Sequence, residues 1–259
     1  MRQAYLLVRC VLLWAVSLAH FAVGALLLLL VAVFVDPRKT DFLQRRFARN
    51  VVRLAGARLR VRAAPGFDPR RTSIFVSNHV NLFDPFVLYC AVPQFLRGWE
   101  LESHFKIPVY GWMMKRFGNI PVADQRGTAG IRRLVQQTRR ALENGVSLAV
   151  FPEGGRTQTG RVQPFQTGIF RLVRDLKFPI VPVSIVGSFE FNRKESYWLR
   201  PSTIIVHLHD TIDTALLNEQ ELDQLCDRVH RLVSQPVDEA LGISPQSEQE
   251  AESVQNHND

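Results

Sequence analysis

His79 and Asp84 stand with four residues between them in Ser77-Asn78-His79-Val80-Asn81-Leu82-Phe83-Asp84-Pro85-Phe86. A turn in that segment lays the carboxylate against the imidazole. The carboxylate then fixes the tautomer and steadies the imidazolium that forms as the other nitrogen takes a proton, which is general-base chemistry. The same residues have a plainer use: Asp84 ahead of Pro85 fits a helix N-cap with Pro at the first helical position, and His79 is then a loop residue. Both uses can hold together. A second segment with chemical content is Val150-Phe151-Pro152-Glu153-Gly154-Gly155-Arg156-Thr157. Its two glycines let backbone approach a ligand closely, and Arg156 offers a planar fork for a phosphate or a carboxylate. A Gly-Gly turn carrying a solvated Arg is the structural alternative.

Other chemistries fail on spacing. Gly155 and Gly160 stand at the interval of a phosphate-cradling nucleotide loop, but Arg161-Val162 follows where Lys and Ser/Thr are required. No Gly-x-Ser-x-Gly elbow is present. His207 and His209 would share one face of a strand without an evident third ligand, so no metal is expected. Cys10, Cys90 and Cys226 are three, far apart and in no Cys-x-x-Cys pair, which suggests neither a disulfide framework nor a thiolate site.

The elements that must position these residues read as α/β. Ser73-Ile74-Phe75-Val76-Ser77 is a short apolar strand, and residues 146–151, Ile180–Val186 and 203–208 are buried-type strands. Phe86, Val87 and Tyr89/Cys90 follow at helical spacing. Residues 128–144 form an amphipathic helix, with Ile131, Leu134/Val135, Thr138 and Leu142 opposite Arg132, Arg133, Arg139 and Arg140, stopped by Asn144-Gly145. Residues 218–234 form a final helix capped by Asn218 with Glu221 at N3. Alternating strands and helices predict a two-layer or sandwich α/β domain with a largely parallel mixed sheet over residues 57–240. The chain has 259 residues, 46% hydrophobic and 22% charged, enough to build that core and too apolar for wholesale disorder. Residues 241–259 are polar and acidic, with Glu248, Glu250, Glu252 and Asp259, and read as a disordered tail.

Residues 1–56 read as a membrane anchor followed by a basic interfacial helix. Residues 11–35 carry no formal charge, and only Ser17 and His20 among them are clearly polar; about 20 apolar residues span a bilayer. A secretory signal peptide has an apolar region of at most about 15 residues, and here it continues through a leucine run at 26–30. A single span and a helical hairpin broken near His20 and Gly24 both fit. Phe42/Leu43, Phe47, Val51 and Leu54 then recur at helical spacing with Arg45, Arg46, Arg49 and Arg53 opposite, as in a helix with its apolar side among acyl chains and its guanidinium groups among phosphates; an amphipathic helix packed on a soluble core has the same pattern. Residues 36–71 hold eleven Lys or Arg and three acids, so the whole net charge of +8 falls beside the apolar run. That location favours an anionic membrane surface over nucleic acid, and it places the rest of the chain on the cytoplasmic face of the cell membrane.

Taken together, Asn78-His79 with Phe83-Asp84-Pro85 and Phe151-Pro152-Glu153-Gly154-Gly155-Arg156-Thr157 resemble the glycerolipid acyltransferase family, of the 1-acylglycerol-3-phosphate acyltransferase type. Lys106-Ile107-Pro108-Val109-Tyr110-Gly111-Trp112 leading to Gly118-Asn119-Ile120-Pro121-Val122 looks like its second block, and Ile180-Val181-Pro182-Val183 like its fourth. Residues 57–210 carry these blocks in the family's order. The resemblance implies an acyl thioester donor, acyl-CoA or acyl carrier protein, and a lysolipid acceptor drawn from the bilayer. It implies no cofactor and no nucleic acid. His79 would be the base and Asp84 its partner. Glu153, Gly154, Gly155 and Arg156 would bind the acceptor phosphate, together with Arg126, which is displaced because Val122 runs into Ala123-Asp124-Gln125. Asn78, Pro85, Pro152, Thr157 and Pro182 would support the motifs. Lysophosphatidate is the preferred acceptor. The alternatives are a lyso-ornithine lipid or another lysophospholipid and, outside enzymology, a membrane scaffold that keeps the fold without the activity.

Overall fold

The computed structural model describes residues 1–123 and 127–243, the side chain of Arg2 excepted. Two helices come first, α1 (Arg2–Phe34) and α2 (Asp41–Leu54). Then follow β1 (Ala57–Ala63), β2 (Ile74–Ser77), α3 (Asp84–Ala91), β3 (Leu96–Leu101), α4 (Tyr110–Phe117), β4 (Ile120–Val122), α5 (Thr128–Glu143) and β5 (Ser147–Val150). The chain closes with α6 (Thr167–Leu176), β6 (Ile180–Val186), α7 (Ser188–Phe191), β7 (Ser202–Leu208), α8 (Glu219–Asp223) and α9 (Leu225–Leu241). The strands form one sheet in the order β1-β7-β6-β2-β5-β3-β4, parallel except for the β6–β7 pair. This is the α/β sandwich with a mostly parallel mixed sheet that the alternation of strands and helices predicts.

Every residue of β2 and β5 is buried, because helices cover both faces of the sheet. On one face Phe75, Val181 and Val183 pack with Phe47, Val51, Val87 and Leu88 of α2 and α3; on the other Ile74, Val76 and Leu148 pack with Leu142, Val173, Val229 and Val233 of α5, α6 and α9. One consequence governs function. Strands β2 and β5 are parallel neighbours with Ile74 beside Leu148 and Val76 beside Val150. The segments that leave their C-terminal ends, at His79 and at Glu153, therefore emerge side by side.

The final helix departs from its expected bounds. The Asn218/Glu221 capping box forms, but it heads the short α8. Gln224 then breaks the helix at ψ −3°, and α9 runs seven residues past Ser234 with Pro236 inside it. Proline removes one intrahelical donor. The carbonyl so deprived is that of Leu232, and the Ser184 hydroxyl of β6 lies 3.5 Å from it while donating to the neighbouring Val233 carbonyl at 2.8 Å.

The membrane end is corrected in two respects. Helix α1 is continuous, with no hairpin at His20 and Gly24. Gly24 is a point of close approach: a Cβ there would stand 2.6 Å from the Phe47 ring, on which His20 also stacks. Helix α2 does not lay its apolar side among acyl chains, since Phe47, Ala48, Val51 and Val52 are buried against the protein. Nor is Arg45 available to phosphates. It pairs with Asp41 at 2.5 Å and donates to the carbonyls of Tyr89, Val92 and Gln94. Arg46, Arg49 and Arg53 stay exposed. The acidic tail from Ser244 lies outside the described residues.

Arg45 belongs to a polar cluster that ties α2 to α3 and β3. The Tyr89 hydroxyl donates to Asp41 at 2.5 Å and accepts from the buried Arg97 at 2.9 Å; Arg97 also reaches Gln44 and lies 3.9 Å over the Phe95 ring. Burial pushes Tyr89 up to about 12, so the hydroxyl stays protonated and keeps donating. Tyr89→Phe leaves Arg97 and Asp41 each short of one partner. It is expected to cost about 1–3 kcal/mol, read in a melting curve as a fall of roughly 2–4 °C for each kcal/mol at this chain length.

Candidate active site

The turn after β2 is built around one carboxylate. Asp84 is completely buried, and its Oδ2 accepts the backbone N–H groups of Val80 at 2.5 Å and Asn81 at 2.8 Å. Its Oδ1 accepts the Ser188 hydroxyl at 2.8 Å. His79 Nδ1 lies 2.9 Å from Oδ2. An oxygen already receiving two N–H groups faces His79 as an acceptor, so Nδ1 carries the proton and Nε2 presents a lone pair. Nε2 makes no hydrogen bond among the described residues. The imidazole is one-fifth exposed and stacks on Phe151 at 4.1 Å and 20°. The N-cap expectation for Asp84 does not hold: Phe83 is the N-cap of α3, Asp84 is the first helical residue, and its carboxylate turns back onto the loop.

Side chains replace backbone around this turn. The Asn78 amide continues the sheet beyond β2, donating to the Ile185 carbonyl at 3.0 Å and accepting its N–H at 2.7 Å. Asn81 Nδ2 donates to the Ser188 carbonyl and hydroxyl, both at 2.8 Å, and to the Asn192 carbonyl at 3.1 Å. Buried amides satisfied on both ends hold a loop as firmly as a strand pairing does.

The second motif is stapled to the first. Glu153 Oε1 accepts the His79 N–H at 2.6 Å, Oε2 accepts the Gln163 N–H at 2.9 Å, and the Thr157 N–H donates to the His79 carbonyl at 2.9 Å. Glu153 thus bridges backbone rather than waiting for a ligand. Burial pushes its carboxyl up to about 7 despite those two backbone donors, and the charge of Asp84 adds to the rise. Gly154 needs its left-handed φ of +71°, and a Cβ there would stand 2.0 Å from Gln166 Nε2. Gly155 is exposed with open space above it. Arg156 is half-buried and makes no hydrogen bond or ion pair among the described residues, so its fork is uncommitted.

The remaining sequence candidates divide by place. Thr157 is buried and its Oγ1 accepts from the Gly160 N–H at 3.2 Å, closing the loop. The buried Pro152 accepts at its carbonyl from Gln166, whereas Pro85 is exposed on α3. Pro182 sits within the sheet opposite Val76, a structural position. Arg126 lies outside the described residues. Among the described residues no group of three His, Cys, Asp or Glu is arranged for a metal, and His209 Nε2 is engaged by the Ser184 hydroxyl at 2.8 Å. Sequence reasoning missed Ser188, Asn81 and Phe151 as supports of the dyad. The one available signal was Asn81 inside the motif itself.

Glu153 gives a pH test. Its folded-state carboxyl is raised above the unfolded value, so the folded chain holds an extra proton between about 4.5 and 7. Stability from this group is present at acid pH and lost as pH rises through 7, on the order of 3 kcal/mol. Melting curves from pH 5 to 8 should fall for the parent relative to Glu153→Gln, which has no proton to lose. Gln also turns an NH2 toward a backbone donor, so the variant should start less stable by about 1–3 kcal/mol.

Comparison with known proteins agrees with this fold. The acyltransferase family profile matches residues 58–186. The 1-acyl-sn-glycerol-3-phosphate acyltransferase of Cocos nucifera is 26% identical over 160 residues, which cover 62% of this chain and 52% of that one; the chain thus spans about half the length of that relative. The enzyme of the same name from Haemophilus influenzae is 25% identical over 209 residues, covering 80% of this chain and 85% of its own. The crystal structure of the 1-acyl-sn-glycerophosphate acyltransferase PlsC from Thermotoga maritima superposes with a TM-score of 0.77 at 21% identity, over 92% of this chain and 97% of that one. The profile runs from β1 to the end of β6 and so takes in both segments of the site: residues 58–186 form a domain of the acyltransferase family.

Proposed function

We propose that this chain moves a fatty acyl group from an acyl thioester, acyl-CoA or acyl carrier protein, to the free hydroxyl of 1-acylglycerol-3-phosphate, giving phosphatidate. The observation that carries this reading is the His79–Asp84 pair, a buried carboxylate on Nδ1 with Nε2 left open, bonded through Glu153 and Thr157 to the loop that bears an uncommitted Arg156. His79 Nε2 takes the acceptor's hydroxyl proton as the oxygen attacks the thioester carbonyl. The tetrahedral intermediate collapses, the carbon–sulfur bond breaks, and the Nε2 proton passes to the departing thiolate. Asp84 holds Nδ1–H throughout and stabilises the transient imidazolium. Arg156 binds the acceptor's phosphate through its fork. The names of the relatives support the acceptor chosen.

An acceptor that lives in a bilayer calls for attachment to one. Helix α1 is long and apolar enough to cross a membrane, yet it packs along the domain from Cys10, against Tyr197, to Ala32, whose carbonyl receives Arg116. A helix of about 50 Å bound over most of its length cannot stand across the bilayer while the domain remains to one side. Its other face exposes Leu12, Val16, Val23, Leu27, Leu30 and Val33. This supports attachment within one leaflet, on the cytoplasmic side by the excess of Arg after α1.

A panel of lysolipids with one labelled acyl-CoA, read by product mass, tests the assignment. Lysophosphatidate should be converted and a phosphate-free acceptor should not. His79→Ala should lower turnover by about 10²–10⁴, far beyond what the about 1–3 kcal/mol of stability lost with the bond to Asp84 explains in a chain that still folds; normal activity would remove His79 from the reaction. Arg156→Ala should raise the Michaelis constant for lysophosphatidate roughly ten- to hundredfold, as a lost charge-assisted hydrogen bond requires, and leave that of the donor nearly unmoved. Arg156→Lys should fall between. An acceptor constant unchanged in Arg156→Ala would defeat the phosphate assignment.

A further inference from the structure

Residues 192–200, between α7 and β7, are held by backbone contacts while their aromatic side chains face outward. Cys10 Sγ and Trp14 Nε1 of α1 donate to the Tyr197 carbonyl at 3.2 and 2.6 Å, and the Leu199 N–H donates to Cys10 Sγ at 3.4 Å. Asn192 Nδ2 donates to the Ser196 and Trp198 carbonyls, and the Arg200 N–H to the Phe191 carbonyl at 2.9 Å. Leu199 is buried, yet Tyr197 is 85% exposed and Trp198 45% exposed. A loop fixed in place that displays Tyr and Trp beside the apolar face of α1 has the composition of a membrane–water boundary.

Between this loop and the first turns of α1 lies a groove of about 450 Å³, lined by Leu6, Leu7, Arg9, Trp198 and Arg200 among others. Arg9 Nε is shielded from solvent and has no hydrogen-bond partner. Among the described residues neither Arg9 nor Arg200 has an ion pair. A shielded donor without a partner costs free energy that an anionic oxygen in the groove would recover. Arg9 is also the last charged residue before the charge-free stretch of 11–35.

We propose that this groove docks the phosphate group of an anionic bilayer phospholipid, between Arg9 and Arg200, with Trp198 at the headgroup boundary. The assignment rests on the membrane attachment argued above and adds a lipid site apart from the dyad and Arg156. The docked segment begins at Asn192, whose carbonyl accepts from Asn81, and follows the short α7, whose Ser188 holds Asp84.

Flotation of the full-length protein with phosphatidylcholine vesicles, with and without phosphatidylglycerol, tests this. The parent should float with both and more tightly with the anionic ones. Arg9→Gln combined with Arg200→Gln should lose roughly thirtyfold in affinity for anionic vesicles, as two surface cations are worth, with its melting curve and its turnover of detergent-dispersed lysophosphatidate unchanged. Arg9→Lys combined with Arg200→Lys should recover most of the loss; a Lys pair as weak as the Gln pair would trace the loss to packing and overturn the proposal. Inorganic phosphate at millimolar concentration should not release the parent, and release would mark a free-anion site instead. Equal flotation of parent and Gln pair defeats the groove while leaving membrane attachment standing, whereas a parent that floats with neither vesicle defeats both.

Discussion

A carboxylate with no exposure to water must find its hydrogen bonds inside the protein or fold at great cost. Asp84 finds four, from two backbone amides, one hydroxyl and one imidazole. The two amides force residues 79–81 to wrap around it. The hydroxyl brings in α7 from the far side of β6, and the imidazole is fixed in tautomer and direction by the oxygen that the amides have already oriented. The same bonds that make the buried charge tolerable therefore shape the reactive side chain. Removing one partner leaves a buried polar group short, so the site and the local fold cannot be perturbed separately.

The sheet supplies the second constraint. Parallel neighbours β2 and β5 end together, and two loops distant in sequence become one surface. Glu153 converts that proximity into rigidity, since its two oxygens hold the His79 and Gln163 amides at once. Its raised carboxyl records the cost of burying that bridge. Arg156 stands apart from all this, with its fork unspent, and it is the residue of the pair of loops most open to a ligand.

Much of this was legible in the sequence because it rests on local patterns. Buried strands such as Ile180–Val186 are apolar throughout, α5 has a clean amphipathic face ending at Asn144-Gly145, and His79 and Asp84 lie within one turn of each other. What was not legible depends on distant contacts. Strand β1 carries Arg58, Arg60 and Arg62 and is largely exposed, so its pairing with β7 leaves no apolar signature. The fate of α2 could not be read from its amphipathic pattern, because lipid and protein reward the same apolar stripe; Phe47 meeting Gly24 and Val51 meeting the core decided it. Arg45 looked like one more surface cation until the carbonyls of Tyr89, Val92 and Gln94 closed around it. Ser188 gave no sign of serving Asp84 from 104 residues away.

The account turns on which nitrogen of His79 is bare. Nitrogen-15 NMR of the labelled protein, with the His79 resonance assigned by its loss in His79→Gln, reads this directly in the uncharged ring. Asp84 as an acceptor requires the proton on Nδ1 and an unprotonated Nε2. A proton found on Nε2, with Nδ1 bare against the carboxylate, would contradict the general-base role and the bonding of Asp84 on which the rest depends.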